Sequence, residues 1–357
     1  MLKRTGIILI NYKDYAKKFL AECRDSLREQ SYPQEFFITY IVDNAGTDDS
    51  LKYLNEAFPE AIIITRTDGN YSAANNAGIQ KAYADGCDYF IIANMDTRFE
   101  KDWLKELVMA LESDQAIGVA QSKILLYPKD EAEWNHPRIN SIGNIMHFLG
   151  FGFTGGYNQA DHDINGLPEI NGYASGCSFI IKREVIDKIG GYNEEFYMYH
   201  DDIELGWKVK LAGYKIILAP RSVVYHKYEF GRSILMLYYM ERNRHLVLFI
   251  FYKIPTIILL LPAILVMELG MLFFSIMNGW FKTKNKIYKY FFSISTWKHI
   301  IRERKRVSQL RKVRDKDIVK NFAGKVLFQE INNPVLEYIA NPLFNFYWGI
   351  AKRIIWW

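Results

Sequence analysis

Three aspartates and one histidine, far apart along the chain, carry the side chains needed to hold a nucleotide, a divalent cation and a reacting hydroxyl in one place. Asp43 ends an apolar run in IVDNAGTDDS and Asp96 ends another in YFIIANMD; Asp202 stands in FYMYHDDIELGW, and His226 closes VVYHK. Carboxylates and an imidazole at the carboxyl ends of strands line the crevice where open α/β sheets bind ligands. Hard oxygen ligands at such a strand end suit Mg²⁺ or Mn²⁺. A carboxylate or imidazole in the same crevice can also supply a base. The combination points to an enzyme.

These residues need a sheet to position them, and the first part of the chain predicts one. Short apolar strands over residues 6–10, 36–42, 61–65 and 89–93 alternate with amphipathic helical spacing over 16–30, 50–58 and 72–84. That alternation indicates a mainly parallel sheet covered by helices on both faces. Residues 128–170, rich in Asn, Gly, His and Pro, read as a long irregular segment over the site, where acceptors often bind. A strand is expected at 178–182, a helix at 202–212, and two further strands at 215–219 and 223–226.

Each motif also has a purely structural reading. VDNAGTDDS makes a polar turn whose Asp43 carboxylate can accept from a base N–H or a ribose hydroxyl, yet strand-ending turns use the same residues. In DGNYSAANNAGI, Asn75 and Asn76 are poor helix formers, so their side chains are expected to face a ligand or loop backbone. NGYASGC offers the small residues Ala174, Ser175 and Gly176 for close approach to a sugar. The pair Asp201–Asp202 opens a helix and could cap it as well as act in catalysis. The Asp-His-Asp triplet at 161–163 has no preceding strand to aim it and is set aside as a metal motif; His136, His147 and His162 read as loop or acceptor-facing residues.

In this order and spacing the four segments resemble the inverting nucleotide-sugar glycosyltransferases of family 2, of the GT-A fold, and in particular their rhamnosyltransferase-like branch, which builds cell-surface polysaccharide. The resemblance covers roughly residues 5–245. It implies that Asp43 binds the nucleotide with Asp68 and Asn75 near it, that Asn94 and Asp96 occupy the metal motif at the diphosphate, and that His226 completes the metal site. It also implies that Asp202 is the catalytic base, with Ser175, Gly176, Asp201 and Trp207 around the sugar or acceptor. The sequence departs from the family pattern at Met95 (usually Pro), Asn70 (commonly Gly, whose left-handed backbone Asn tolerates), His200 (commonly Gly) and Asp201 (usually Glu). The implied partners are a nucleoside-diphosphate sugar and a lipid-linked or polysaccharide acceptor. A processive synthase would carry a Gln-x-x-Arg-Trp motif and several spans, whereas Leu205-Gly206-Trp207 follows the base here. A nucleotidyltransferase or a non-catalytic sugar-nucleotide binder is the more distant alternative.

The chain of 357 residues carries a net charge of +5, its excess concentrated in the last third. No zinc spacing or basic DNA-reading helix accompanies that charge, so nucleic acid is not the expected partner. Cys23, Cys87 and Cys177 are scattered and odd in number, which suits a reducing compartment. MLKRTGIILINY is too short an apolar run for a signal peptide and reads as a first strand.

Three regions are therefore expected: a catalytic domain over 1–245, an apolar then basic membrane-associating helical region over 246–316, and an amphipathic Trp-rich tail over 317–357. Residues 254–281 are long enough to span a bilayer, but Pro255 and Pro262 should kink them and Glu268 falls mid-window. From Lys282 to Lys316 there are 13 Lys or Arg against two acids, which opposes a single crossing. Helices lying in the cytoplasmic leaflet are the favoured reading, with localisation at the cytoplasmic face of the cell membrane. Phe344, Trp348, Ile355 and Trp356 share a helical face that would meet the interface; packing on the protein, or a homo-oligomer contact, is the alternative.

Overall fold

The computed structural model describes residues 2–228, 237–327 and 334–357. These divide into two compact units, one of residues up to Asn144 with Thr154–Val209 and Tyr214–Tyr228, the other of Ile145–Phe153, Lys210–Gly213 and the described residues from 237 onward. Residue 245, where the composition changes, lies inside a helix of the second unit, and the expected middle and tail regions both belong to that unit.

In chain order the first part of the protein runs β1 (Thr5–Asn11), α1 (Tyr15–Arg28), β2 (Phe37–Asp43), α2 (Asp48–Ala57), β3 (Ile62–Thr65), α3 (Tyr71–Ala84), β4 (Tyr89–Ala93), β5 (Thr97–Phe99), α4 (Trp103–Glu112) and β6 (Ile117–Leu126). There follow α5 (Glu131–Asn135), β7 (Ile139–Ser141), β8 (Asn144–Met146), β9 (Gly152–Thr154), β10 (Ser178–Lys182), α6 (Arg183–Ile189), α7 (Asp201–Leu211) and β11 (Lys215–His226). The main sheet has the order β3-β2-β1-β4-β10-β6-β11-β5, with β7 beside β6. Its longer ladders, β1 with β2 and β4, β2 with β3, and β6 with β11, are parallel; β10 runs antiparallel between β4 and β6. β1 is buried along its whole length, as expected of a strand covered on both faces. Ile7, Leu9, Ile41, Leu54, Ile91, Leu107 and Ile180 fill the core, each worth about 1.5–3 kcal/mol when fully buried.

The expected α/β architecture is present, and three elements differ from the expectation. β6 (IGVAQSKILL) is a central strand despite its buried Gln121, Ser122 and Lys123. The two strands expected at 215–219 and 223–226 are one strand whose register slips between Ala219 and Val223; Pro220 lacks the N–H a continuous ladder needs. The stretch 128–170 carries α5, β7, β8 and β9, and Asp161 is tied to Lys123 at 2.9 Å, which accounts for it without a metal.

The second unit contains α8 (Leu237–Phe251), α9 (Ile254–Met277), α10 (Phe281–Phe291), α11 (Ile294–Leu310), α12 (Asp315–Val319) and α13 (Asn341–Ile354). Among the described residues α9 is the one helix long and apolar enough to cross a membrane. Pro255 sits in its first turn, where no helical hydrogen bond is lost, so it does not kink the helix as expected; Pro262 lies inside it. The expected outward face of α13 is corrected: Phe344, Trp348 and Ile355 are buried, leaving only Trp356 of that set exposed. The indole of Trp348 stacks on Phe148 at 4.8 Å and donates to Phe322 O at 2.8 Å, because a buried Trp N–H needs an acceptor. Leu343, Phe346, Ile350 and Ile354, on the other side, are exposed.

His147 is likewise no acceptor-facing residue. It is fully buried among Phe148, Phe151 and Phe153, with Nε2 3.2 Å from Gly324 O and Nδ1 accepting from Leu149 N at 3.1 Å. Burial, aided by Arg244, pushes its pKa down to about 3 against the Gly324 carbonyl, from 6.5. The unfolded chain therefore takes up a proton that the fold refuses as pH falls below 6.5, so stability drops by up to about 1.4 kcal/mol per pH unit, levelling near pH 3. Thermal melts at pH 7 and pH 5 should show a larger loss of Tm for the wild type than for His147→Gln. Equal losses would remove His147 as the cause.

Candidate active site

The first cluster is built by the turns after β1, β2 and β3. A cavity of about 380 Å³ opens there, lined by Asn11, Lys13, Asn44, Thr47, Asp68 and Tyr197 among others. Asp43 lies beneath it, fully buried: Asn11 Nδ2 donates to Oδ1 at 2.7 Å, Ala45 N to the same oxygen at 3.2 Å, and Ser50 Oγ to Oδ2 at 2.6 Å. All three of its partners line the cavity, so Asp43 shapes this pocket from below. Thr47 caps α2 by accepting from Ser50 N at 3.1 Å, which closes the turn. Gly46 is left-handed at φ +61°, and a Cβ there would stand 2.5 Å from Arg66 O, so only glycine fits. Asp68 reaches the cavity rim and pairs with Arg66 at 2.6 Å, which holds its carboxyl below the usual range.

Strand pairing assembles the second cluster. Thr97–Phe99 of β5 lie antiparallel to Val224–His226 of β11, so Asp96, immediately before β5, is brought against His226. His226 Nε2 stands 3.3 Å from Asp96 Oδ1, and its Nδ1 is 2.9 Å from Asn140 Oδ1. An Nδ1–H given to Asn140 orients the ring so that Nε2 faces Asp96 Oδ1, the kind of support that ligating histidines commonly have. Burial opposes a charge on this imidazole, but Cys177 and Asp96 beside it outweigh that and raise its pKa well above the ordinary value. A carboxylate oxygen and an imidazole nitrogen, buried and converging, form a donor set that fits Mg²⁺ or Mn²⁺. Met95, where the family usually has Pro, is buried in the core.

The third cluster follows from β10. Its antiparallel register sets Ser178 opposite Ala93, so Asn94 N donates to Cys177 O at 3.0 Å. This places Ser175–Cys177 beside the Asn94–Asp96 turn. Ser175 N donates to Gln121 Oε1 at 2.7 Å, which is why β6 carries a buried amide. The half-buried Asp202 accepts from Ile203 N at 2.9 Å and from the Gly176 N–H. Burial raises its pKa to about 6 despite those N–H donors. Its neighbour Asp201 is driven well above the carboxylate range by burial and by the Asp202 charge, so Asp202 is the member that ionises first. The backbone before the pair is unusual: Tyr197, Tyr199 and His200 all have φ between +60° and +65°, a strained arrangement typical of functional loops.

Residues 6–190 match the description of glycosyl transferase family 2. The chain belongs to that family. Its relatives include the N-acetylglucosaminyl-diphospho-decaprenol L-rhamnosyltransferase of Mycobacterium tuberculosis (strain ATCC 25618 / H37Rv), 31% identical over 204 residues, covering 52% of this chain and 65% of the relative. Another is the O-antigen chain rhamnosyltransferase WbaN of Salmonella anatum, 22% identical over 191 residues, covering 53% and 56%. The chain spans 17% of a third, the O-antigen biosynthesis protein RfbC of Myxococcus xanthus, at 23% identity over 61% of its own length. Among solved structures, GalNAc-T7 with UDP, GalNAc and Mn²⁺ aligns at TM-score 0.51 and 15% identity over 64% of this chain and 44% of that one, a likeness of fold.

The structure brings some of the residues singled out in the sequence together and not others. Asp96 meets His226, Asp202 meets Gly176, and Asp68 lines the cavity. Asn75 is fully buried, its Nδ2 donating to Tyr71 O at 3.1 Å. Asn76 bonds loop backbone, giving to Tyr192 O at 3.0 Å and taking from Tyr192 N at 2.8 Å. Trp207 is buried and not open to a groove. Asn70 is not left-handed as expected: at φ −76° it caps α3, and Gly69 beside it takes the positive φ. His200, where Gly is common in the family, has a left-handed backbone at φ +60°. The sequence reading missed Asn140, which orients His226, and Tyr71, Tyr173 and Tyr192, which enclose the acid pair.

A second acid–histidine group, Glu241, His245 and Glu268, lies in the second unit with ligand atoms within 4.8 Å of one another. Lys284 Nζ stands 2.8 Å from both Glu241 Oε1 and Glu268 Oε1, and Arg244 2.7 Å from Glu241, so the positive charge a cation would bring is already there.

Proposed function

We propose that this family 2 enzyme transfers a sugar, with inversion, from a nucleoside-diphosphate sugar to a hydroxyl of a lipid-linked or polysaccharide acceptor. The observation that carries the reading is the convergence of the Asp96–His226 pair, 3.3 Å apart, with the Gly176-bound Asp202 through the shared Asn94–Cys177 link. The nucleoside occupies the cavity bounded by Asn11, Asn44 and Asp68, and Asp43 organises its floor through Asn11, Ala45 and Ser50. Asp96 and His226 are the residues that would hold a Mg²⁺ or Mn²⁺, with Asn94 in the same turn as Asp96. When bound, that cation neutralises charge growing on the leaving diphosphate. Asp202 takes the proton of the acceptor hydroxyl as it attacks the sugar carbon from the face opposite the leaving group, and Ser175, Gly176 and Asp201 shape the space around it.

The acceptor is read as lipid-linked because the second unit supports attachment to the cytoplasmic face of a membrane. Ile258, Leu265, Leu269 and Phe273 of α9 and Leu343, Phe346, Ile350 and Ile354 of α13 are exposed, and α10 and α11 are basic. Contacts of that kind are worth about 1 kcal/mol per well-placed Lys or Arg at an anionic surface.

Incubating the protein with a panel of nucleotide sugars and an acceptor extract, and measuring released nucleoside diphosphate, tests the reaction. Release should require Mg²⁺ or Mn²⁺. In donor titrations without acceptor, Asp96→Ala and His226→Ala should each weaken cation-dependent binding by about 10–100-fold. Donor binding and turnover that survive chelation would remove the cation from the reading, and no release from any donor would remove the transfer.

A further inference from the structure

We propose that Tyr71 is a positioning residue for the transfer, its hydroxyl joining the donor end of the site to the segment that holds the base; the inference rests on the transferase reading above. Tyr71 is the first residue of α3, and its place is fixed from both sides. Asn70 caps the helix through Ala73 N at 3.0 Å and donates to Glu194 O at 3.0 Å, while Ser72 N donates to Tyr197 O at 3.1 Å. From there the half-buried phenol donates to Asn94 Oδ1 at 3.4 Å. Asn94 is itself bound through its N–H to Cys177 O. On the other side, a Cβ added to Gly176, whose N–H holds Asp202, would meet the Tyr71 oxygen at 3.8 Å. The hydroxyl therefore stands between the residue at the diphosphate and the residue that carries the base.

Two further facts give it a task. Burial, with the Asp201 and Asp202 charges, pushes the phenol far up, so it stays a neutral donor at every working pH. Asn75 gives its Nδ2–H to the Tyr71 backbone carbonyl at 3.1 Å, and its amide bears on the phenol as a donor too, so it does not claim the hydroxyl proton. That one proton goes to Asn94 and locks that amide's orientation. Loss of the hydroxyl should free Asn94, misplace the donor sugar relative to the Asp202-activated hydroxyl, and let water compete.

The test is Tyr71→Phe, which keeps the ring. With donor and acceptor present, kcat should fall about tenfold, the size of one neutral hydrogen bond, with donor Kd within about twofold and an unchanged melting temperature. The ratio of sugar transferred to donor hydrolysed should fall with it, which a purely structural phenol would not cause. The double variant Tyr71→Phe/Asn94→Ala should be no slower than Asn94→Ala alone, because both act through one contact. A Tyr71→Phe enzyme with wild-type kcat and transfer ratio overturns the proposal, and so do effects that multiply in the double variant. A wild type that releases no nucleoside diphosphate from any nucleotide sugar overturns the transferase reading itself, and Tyr71 with it.

Discussion

Replacing Asp202 with Asn should lower turnover by about 10²–10⁴-fold while donor affinity stays within a few-fold. The carboxylate contacts the Gly176 and Ile203 N–H groups and does not line the cavity proposed for the nucleoside, so the substitution removes a proton acceptor and not a donor contact. Asn keeps an oxygen for both N–H groups, so the start of α7 should hold. The wild-type pH profile adds a second reading of the same group. Burial raises Asp202 to about 6, and only its ionised form can take a proton, so kcat/KM should fall about tenfold per pH unit below about pH 6 and flatten above it. Asp201, raised further by burial and by its neighbour, stays protonated through this range and does not supply the limb. Wild-type turnover in Asp202→Asn would end the assignment; an acid limb unchanged in the variant's residual activity would reassign it to another group.

The parts of the fold legible in the sequence are those where apolar patterning is not interrupted. β1, β2 and β4 are largely buried apolar runs; β1 ends at Asn11, β2 at Asp43, and β4 stops at Ala93, just before Asn94. The central strand β6 was not legible, because Gln121, Ser122 and Lys123 break its apolar run. Those residues are buried for reasons that exist only in three dimensions: Gln121 takes the Ser175 N–H, Ser122 joins Trp103, Ser178 and Ser222, and Lys123 pairs with Asp161. The same holds in the site. Asp96, His226 and Asp202 were legible as acids and an imidazole at element ends. Asn140 and Tyr71 were not, since an Asn in a short strand and a Tyr at a helix start carry no mark of the partner they meet. The Trp-rich C-terminal helix shows the converse. Its periodicity revealed an apolar face but not which way it turns, and Phe148 is what claims Trp348.

Residues flanking α9 should both be labelled only when an impermeant thiol reagent is admitted to the cell. The expectation rests on Glu268, midway along α9, which the sequence marked as costly in a membrane span. It is matched by Lys284 at 2.8 Å and lies in a charge cluster with Glu241, Arg244 and His245 of α8. Lys284 belongs to α10, so the chain turns back after Met277 and α10 runs beside the last turns of α9. At about 1.5 Å per residue, Glu268 stands more than two turns inside the end of the helix. A spanning α9 would then pull the exposed Lys282, Lys286 and Lys289 into the hydrocarbon, where each costs about 2.5–3.5 kcal/mol even by insertion scales. An α9 lying in the plane of the cytoplasmic leaflet avoids that cost and keeps its exposed Leu and Phe side in lipid. Cysteines placed at Lys253 and Lys286 should therefore react alike, and only in opened cells. Labelling of the Lys286 site from outside intact cells would establish a crossing. Lys284→Met should loosen the same arrangement, since it leaves the buried Glu241 and the half-buried Glu268 to Arg244 and His245 alone; removing one partner of a fully buried pair costs about 3–5 kcal/mol, an upper bound here. A melting temperature unchanged by Lys284→Met would show that the cluster does not hold α10 against α9, and the argument for an in-plane helix would lose its anchor.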